Sequence, residues 1–265
     1  MKQLTMIVLF LSITALLFGN TLIIHSGEDL AGALKQAKDG DMVFIYRGKY
    51  EVCTSLNKDL RIMGAEEGVV MYCSKKPEAI FKITKANVSI ENIKLIVQKS
   101  VGLVAFNSKI NLKNVDVFIK NSGMGVMISG GEFYGDGLKI QGTKGSYIGR
   151  GIYLSDQSTF AIKAFEISYM KRGIIANAKR IIVLQGDVHD NEYGVVIISG
   201  NVTIALSKFR TNLNGLLVCG ESQVEIVASE FDGNGNDVVY NRKHYKFDDE
   251  YEISPFSGKV IRIGN

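Results

Sequence analysis

The sequence predicts an all-β protein, a single-stranded right-handed parallel β-helix whose chain winds as a solenoid of coils of about 22 residues. Three observations predict this fold: a residue pattern that recurs along the chain, short segments in which apolar and polar residues alternate, and a composition with 28 glycines and only 2 prolines. Strands this short cannot form a domain alone, so they must pair with the coils above and below them.

The recurring pattern is an aliphatic residue, a turn position three residues later and another apolar residue two further on. A glycine then opens the next apolar run, and successive runs start 21 to 26 residues apart. Self-similarity at a fixed period is typical of repeat architectures, and the alternation after residue 42 excludes helical repeats. The pattern occurs at Ile90/Ile93/Leu95, Leu112/Val115/Val117, Phe133/Asp136/Leu138, Ile162/Phe165/Ile167, Val183/Gly186/Val188, Ile204/Ser207/Phe209 and Ile226/Ser229/Phe231.

The first 20 residues have the composition of a secretory signal peptide: one lysine, an apolar core from Met6 to Phe18, then Gly19 and Asn20. An uncleaved anchor is the alternative, but the apolar core is shorter than the roughly 18 residues of a spanning helix. We therefore expect cleavage near Gly19 and a secreted, periplasmic or cell-surface protein with no membrane attachment afterwards. Residues 21–242 are predicted to form the β-helix with its N-terminal cap, and residues 243–265 a C-terminal cap or tail.

An amphipathic helix is predicted between Ser26 and Gly40, before a strand from Met42 to Tyr46. Its apolar face consists of Leu30, Ala33, Leu34 and Ala37. A β-helix exposes an open first edge, and a helix laid over that edge prevents pairing with other chains.

Composition excludes some classes of partner and site. The net charge of +4 and the lack of a basic run argue against nucleic acid. Three cysteines make no complete disulfide framework. Cys53 and Cys73 lie about one repeat apart, which suits either a bridge or two buried thiols, and Cys219 lies in an apolar run. The three histidines are far apart in sequence, so we predict no metal site and no cofactor.

The chain from about residue 26 to 242 resembles the right-handed parallel β-helix proteins of the pectate-lyase-like superfamily. The resemblance rests on the helix, Gly40-Asp41, Gly48-Lys49-Tyr50, and the segments LRIMG and NVSIENIKLIV. It implies this fold and a polysaccharide or cell-envelope glycan as the partner. The superfamily contains lyases, hydrolases, esterases, epimerases and non-catalytic binding proteins. The chain lacks the catalytic motifs of the pectin hydrolases and esterases, so activity stays open; an enzyme would be a polysaccharide lyase or a glycoside hydrolase.

Charged residues on one predicted sheet are the candidate catalytic group. Alternation places Asp187, Lys208 and Glu230 in one outward column, with His189, Arg210 and Asp232 beside them. One interpretation is a structural ladder of ion pairs between neighbouring strands. The other is an acid/base site, in which His189 acts with Asp187 or Asp232 while Arg210 or Lys208 binds an anionic sugar.

A long connector, KIQGTKGSYIGR, precedes Gly151 and is the candidate binding segment. Its cations and aromatic ring suit an acidic glycan, and a ring on the following strand could stack on a sugar. A tolerated insertion without function is the alternative. The candidate substrate-binding residues are Lys139, Lys144, Tyr147, Arg150 and Tyr153.

The strand after each repeat glycine is predicted to present an outward stripe without charged residues. A long apolar stripe is rarely left in water, so we expect it to be covered by the chain itself, by an oligomer or by sugar. The alternative function is therefore a non-catalytic structural or interaction protein that assembles through this face as a homo-oligomer. The two columns are Val104, Met127, Tyr153, Ile175, Val196, Leu217 and Val239, and Phe106, Ser129, Ser155, Asn177, Ile198, Cys219 and Asn241.

Overall fold

A computed structural model describes residues 19–75, 78–155, 158–219, 222–241, 252–254 and 261–263. It confirms the fold class, because the chain forms a parallel β-solenoid of about 10 coils. Residues 1–18 of the predicted signal peptide lie outside the described residues, as does most of the predicted C-terminal cap. No helix in the described ranges is both long and apolar enough to cross a membrane.

The described elements comprise one helix, α1 (Leu30–Gln36), and 24 strands. In chain order the strands are β1 (Thr21–Ile24), β2 (Met42–Ile45), β3 (Gly48–Glu51), β4 (Thr54–Leu56), β5 (Leu60–Gly64), β6 (Val69–Tyr72), β7 (Ala79–Thr84), β8 (Asn87–Gln98), β9 (Val101–Lys120), β10 (Met124–Asp136), β11 (Lys139–Gly142), β12 (Arg150–Ser155), β13 (Thr159–Lys163), β14 (Glu166–Ser168), β15 (Arg172–Leu184), β16 (Asp187–His189), β17 (Tyr193–Ala205), β18 (Lys208–Arg210), β19 (Asn214–Cys219), β20 (Gln223–Val227), β21 (Glu230–Asp232), β22 (Asn236–Asn241), β23 (Glu252–Ser254) and β24 (Ile261–Ile263).

The pairings divide each coil among three parallel sheets, and the long strands bend from one sheet into the next. Sheet 1 stacks β1, β2, β5, β13 and β20 with parts of β8, β9, β10, β15 and β17. Sheet 2 stacks β3, β6, β11, β14, β16, β18 and β21 with the ends of β8 and β9. Sheet 3 stacks β4, β7, β12, β19 and β22 with the starts of β9, β10, β15 and β17. The short β23 and β24 pair antiparallel with β22 and β20.

Apolar side chains form inward columns along the axis, as the repeat predicts. Val183, Ile204 and Ile226 are in register, and all three are buried. In the neighbouring column the rings of Phe209 and Phe231 stack with centroids 4.7 Å apart.

One of the seven predicted registers is wrong. Leu112 pairs with Gly135 rather than Phe133, and Val117 pairs with Ile140. The pattern Phe133/Asp136/Leu138 is therefore displaced by two residues from the true set, Gly135/Leu138/Ile140. A two-residue displacement preserves the alternation, and Gly135 has no side chain to mark its inward position.

The repeat glycines allow close contact between coils. A Cβ placed on Gly194 would lie 2.5 Å from the carbonyl oxygen of Gly215 in the next coil, and one on Gly125 would lie 2.7 Å from that of Gly151. Heavy atoms do not approach so closely without a shift of the backbone, so only glycine fits here.

A ladder of asparagines joins the last coils between sheets 2 and 3. The Nδ2 of Asn191 donates to Oδ1 of Asn212, and the Nδ2 of Asn212 donates to Oδ1 of Asn234, both at 3.0 Å. Each Oδ1 also accepts the backbone N–H of the preceding asparagine. The residue before each asparagine has the left-handed backbone conformation: Asp190 and Thr211 have φ of 53° and Gly233 has φ of 62°.

The N-terminal helix covers the first coil as predicted, with Leu30, Leu34 and Ala37 buried. The helix begins at Leu30 rather than directly after Ser26, and the carboxylate of Asp29 caps it by accepting the N–H of Gly32 at 2.9 Å. The helix follows β1, which pairs with β2, so it connects the first two strands of sheet 1.

A disulfide joins Cys53 and Cys73, whose Cα atoms are 5.2 Å apart, which decides between the two alternatives left by the sequence. Their sulfurs, with Glu78, form the one cluster of metal-ligand residue types in the described ranges, and the bridge occupies both sulfurs. Cys219 is free and buried, and burial raises the pKa of its thiol to about 12.

Replacing Asn212 with alanine should lower the free energy of unfolding by about 3 kcal/mol, because the buried N–H groups of Asn191 and the carbonyl of Val188 lose their partner. Urea denaturation measures the change. The exposed Asn201→Ala variant is the control and should stay within about 0.5 kcal/mol of the parent. Equal effects of the two substitutions would show that the ladder contributes nothing.

Thiol titration checks the cysteine assignment. The folded, unreduced protein should react slowly with a thiol reagent at neutral pH, because Cys219 is enclosed and its pKa is raised. After denaturation without reductant one thiol should react. Three reactive thiols at that stage would contradict the disulfide.

Candidate functional site

The outward side chains of sheet 2 form a charged face in the last coils, in the register that the sequence predicts. Asp187 pairs with Lys208 and Lys208 with Glu230, while His189, Arg210 and Asp232 form the parallel column. The face continues through Glu166 one coil earlier and through Lys139 two coils earlier. The charged face is defined as Lys139, Glu166, Asp187, His189, Lys208, Arg210, Glu230 and Asp232.

Each lysine and arginine of the charged face is neutralised by a carboxylate. The Nε of Arg210 donates to Asp187 at 2.8 Å and its Nη2 donates to the other carboxylate oxygen, which raises the pKa of the guanidinium. The Nζ of Lys208 lies 3.1 Å from Glu230. Because these cations are already bound to carboxylates, the structure favours the ladder of ion pairs over a site that binds an anionic sugar.

Lys139 also belongs to the charged face rather than to the long connector. Its Nζ lies 2.9 Å from the carboxylate of Glu166 in the next coil. It is therefore set apart from the other four candidate binding residues.

His189 is held by two carboxylates that the sequence analysis did not select. Its Nδ1 lies 2.7 Å from Asp190 and its Nε2 lies 3.6 Å from Glu166, and only 13% of the side chain is exposed. Asp187 and Asp232 make no ion pair with His189 within the described residues, because Asp187 is bound to Arg210. Asp190 follows His189 directly in sequence, and this adjacency is the sequence signal that indicates Asp190 as a partner of the imidazole.

The pKa of Asp190 lies below its usual value. Burial by itself raises it, but hydrogen bonds from His189 and Thr211 and the charges of His189 and Arg210 outweigh burial. The ionised carboxylate accepts a hydrogen bond from the imidazole and orients it, which is the role of the third group beside a general base.

Ser168, His189 and Asp190 have the residue types of a nucleophilic triad, and Ser168 is in register with His189. The Ser168 side chain is fully buried, and its Oγ has no hydrogen-bond partner in the structure. A polymer cannot reach an enclosed hydroxyl, so the arrangement does not support nucleophilic attack by Ser168.

A second group of cations lies where sheet 2 turns into sheet 3 in four consecutive coils. We call it the cationic corner and define it as Lys99, Lys120, Lys144, Arg150 and Lys171. All five side chains are exposed, and none forms an ion pair among the described residues.

Backbone hydrogen bonds stack the coils at the cationic corner. The N–H of Met124 donates to Ser100, that of Arg150 to Gly123, and that of Lys171 to Gly149. With about 4.8 Å between coils, the corner is about 15 Å long. Asp190 and Glu192 follow one coil later, so negative charge bounds the corner at that end.

The long connector projects from the middle of this corner. Residues 143–149 contain a turn in which the N–H of Ser146 donates to the carbonyl of Thr143 at 3.0 Å. Tyr147 is 47% exposed and Ile148 is 55% exposed. Tyr153, three residues beyond Arg150, is half-buried on the outward face of sheet 3.

The predicted apolar stripe on sheet 3 is buried at its C-terminal end and half-exposed at its N-terminal end. Val196, Leu217 and Val239 are in register and buried together, with Cys219 in the same cluster. Val104 and Met127 remain half-exposed. The described residues therefore cover only the C-terminal end of the stripe.

The second predicted column of the stripe is wrong at one residue. Ser199 rather than Ile198 pairs with Asn177, because a bulge shifts the register there. A charged residue, Lys82, precedes Val104 in the same column, one coil earlier. Lys82 and Glu78 both line a cleft of about 500 Å³.

No protein-family model and no curated protein matches the sequence. Among solved structures, the alginate lyase AlyGC of the PL6 family superposes with a TM-score of 0.58 at 14% identity, over 91% of this chain and 39% of that chain. An alginate lyase from Paenibacillus sp. str. FPU-7 has a TM-score of 0.39 at 11% identity, over 85% and 98%. The Azotobacter vinelandii mannuronan C-5 epimerase AlgE4 A-module has a TM-score of 0.31 at 10% identity, over 78% and 91%. The first of these likenesses shows the shared parallel β-helix fold, and this chain spans well under half of that lyase.

The carboxylate of Asp190 should contribute to stability above its unfolded pKa of about 3.9 and lose that contribution as pH falls through the lowered folded pKa. Asp190→Asn should therefore flatten the acid side of the stability profile, by about 0.5 kcal/mol at most, because solvent screens this half-exposed group. Chemical denaturation between about pH 6 and pH 2.5 measures the profile.

Thr211→Val removes one hydrogen bond to Asp190 and should flatten the same limb less. An Asp190→Asn profile that parallels the parent at every pH would refute the assignment.

Proposed function

We propose that this is an exported β-helix protein that binds an acidic polysaccharide or cell-envelope glycan at the cationic corner. The observation that carries the proposal is the contrast between two sets of cations on one solenoid. Those of the charged face are bound to carboxylates, whereas those of the cationic corner are exposed and unpaired. Only the second set can exchange water for a ligand's carboxylates without first breaking an ion pair.

The geometry of the corner suits an extended polymer. The cations follow one another at the coil spacing of about 4.8 Å, so a chain lying along the solenoid axis meets one or more cations in each coil. Each exposed contact is worth about 0.2–1 kcal/mol, so binding depends on several contacts and weakens with salt.

Tyr147 and Ile148 add an apolar contact beside the cations. Both side chains are exposed on a segment that leaves the regular coil, and Tyr153 lies on the adjoining face of sheet 3. An aromatic ring beside charged groups fits a uronic acid, which has one apolar ring face and a carboxylate. The proposed binding residues are therefore Lys144, Tyr147, Arg150 and Tyr153, without Lys139.

Other observations support parts of the proposal. The composition of residues 1–20 is that of a signal peptide, and disulfides persist mainly in oxidising compartments outside the cytosol. One solved structure that shares the fold is, by its name, a lyase of alginate, an acidic polysaccharide. One fold supports many functions, so the site carries the argument and the likeness only agrees with it.

Cleavage of the bound glycan, as a lyase or hydrolase, is a second candidate function. The observation that favours it is the half-buried imidazole of His189 between Asp190 and Glu166, which can hold or accept a proton. Assembly through the half-exposed part of the apolar stripe, near Val104 and Met127, is the third candidate. A homo-oligomer that retains no glycan would favour assembly.

The double variant Lys144→Ala/Arg150→Ala should lose about tenfold in affinity for alginate or polygalacturonate at low ionic strength, since two charge contacts are removed. Affinity electrophoresis in gels containing each polymer measures the loss. The matched control is Lys208→Ala, which removes a cation already bound to Glu230 and should keep the parent affinity.

The same mixtures are assayed for new reducing ends and for unsaturated products. Release that His189→Ala abolishes would make the protein a depolymerase. Retention without release would identify a binding protein. Equal losses in the double variant and in Lys208→Ala, or no retention of either polymer, would contradict the proposed site.

A further inference from the structure

Sheet 1 carries a cleft on its outward face that the proposed function does not use. Its volume is about 240 Å³, below the roughly 300–1,000 Å³ typical of drug-sized ligands, so it suits a single ring. Tyr134 forms one wall, and Ala161, Ile182 and Leu184 form the floor.

The depression results from the order of side chains along one outward column. Tyr134 pairs with Ala161, and Ala161 pairs with Ile182. Because the small Ala161 stands between two larger side chains, the surface is recessed there. The floor residues Ala161, Ile182 and Leu184 are all half-buried, so the recess is apolar at its base.

Neighbouring charges hold the Tyr134 ring in place. The Nζ of Lys109 lies 5.5 Å from the ring centroid and 3.2 Å from Glu132, and the Tyr134 hydroxyl donates to Glu132 at 3.3 Å. Lys109 belongs to the preceding coil, as does Asn111 at the edge of the cleft, whereas the floor residues belong to the following coils. The ammonium group of Lys109 thus lies over the ring, and Tyr134 is still 38% exposed and lines the cleft. A ring fixed in advance loses little conformational entropy on binding.

Polar groups surround the apolar floor. Asn111 is exposed at one edge and offers both a donor and an acceptor. Asp136 and Lys163 form an ion pair at 2.9 Å on another edge, so the rim has hydrogen-bonding capacity without net charge.

We propose that this cleft binds one pyranose ring of a neutral sugar. A pyranose places its C–H face on an aromatic ring and directs hydroxyl groups, which both donate and accept, to the sides. The cleft offers these contacts in that arrangement: Tyr134 and the apolar floor for the ring, and Asn111, Asp136 and Lys163 for the hydroxyls. The neutral rim distinguishes it from the cationic corner, so the site extends the proposed function to a second class of sugar on another face.

The test titrates the full-length mature protein with short oligosaccharides of glucose, mannose and galactose, and follows binding by saturation-transfer NMR and calorimetry. Tyr134→Ala should weaken binding of the sugar that binds best about tenfold, the usual worth of an aromatic contact. Tyr134→Phe keeps the ring and should stay within about threefold of the parent, since only the bond to Glu132 is lost.

Tyr147→Ala is the matched control, because it removes another exposed tyrosine at the cationic corner. It should leave neutral oligosaccharide binding unchanged, while Tyr134→Ala should leave retention of alginate unchanged. Thermal unfolding of each variant verifies that the fold is intact. No binding of any of the three oligosaccharides, or equal affinity of the parent and Tyr134→Ala, would overturn the cleft assignment. Neither result depends on whether the cationic corner binds acidic polymer.

Discussion

Parallel pairing of each coil with the next determines how the side chains of this solenoid are arranged. Every side chain has its lateral neighbours one coil away, at about 4.8 Å, so the sheet register decides which residues meet. The asparagine ladder and the repeat glycines maintain that register where the chain enters sheet 3. Asn212 forms hydrogen bonds to the coils on both sides, and Gly194 lets the backbone of the next coil come close. A side chain at Gly194 or an apolar residue at Asn212 would separate the coils locally.

The same stacking produces two electrostatically different surfaces. On sheet 2, opposite charges stand in adjacent coils and neutralise one another, as Lys208 and Glu230 do. At the corner beside it, Lys120 and Lys171 have no carboxylate within ion-pair distance among the described residues. The solenoid thereby places a ladder of ion pairs next to the exposed cationic corner. The first favours stability and the second favours an anionic partner.

The candidate sites were predictable to the extent that they depend on register. Asp187, Lys208 and His189 fell into their columns because alternation and period are visible in the sequence. Contacts that leave a column were not predictable. Asp190 reaches His189 from a turn with positive φ, and the bidentate bond between Arg210 and Asp187 runs diagonally between columns. Such contacts depend on side-chain rotamers and turn geometry, which a repeat pattern does not encode.

The solenoid, its period and the capping helix could be predicted from the residues alone, because each leaves a periodic or local residue pattern. The register at Gly135, the bulge at Ile198 and the bridge between Cys53 and Cys73 became known from the contacts between folded coils. The reason is the same in all three: alternatives that satisfy the local pattern equally well differ only in which atoms of neighbouring coils come into contact. The cleft beside Tyr134 has that origin too, since it exists only where Ala161 stacks between larger side chains.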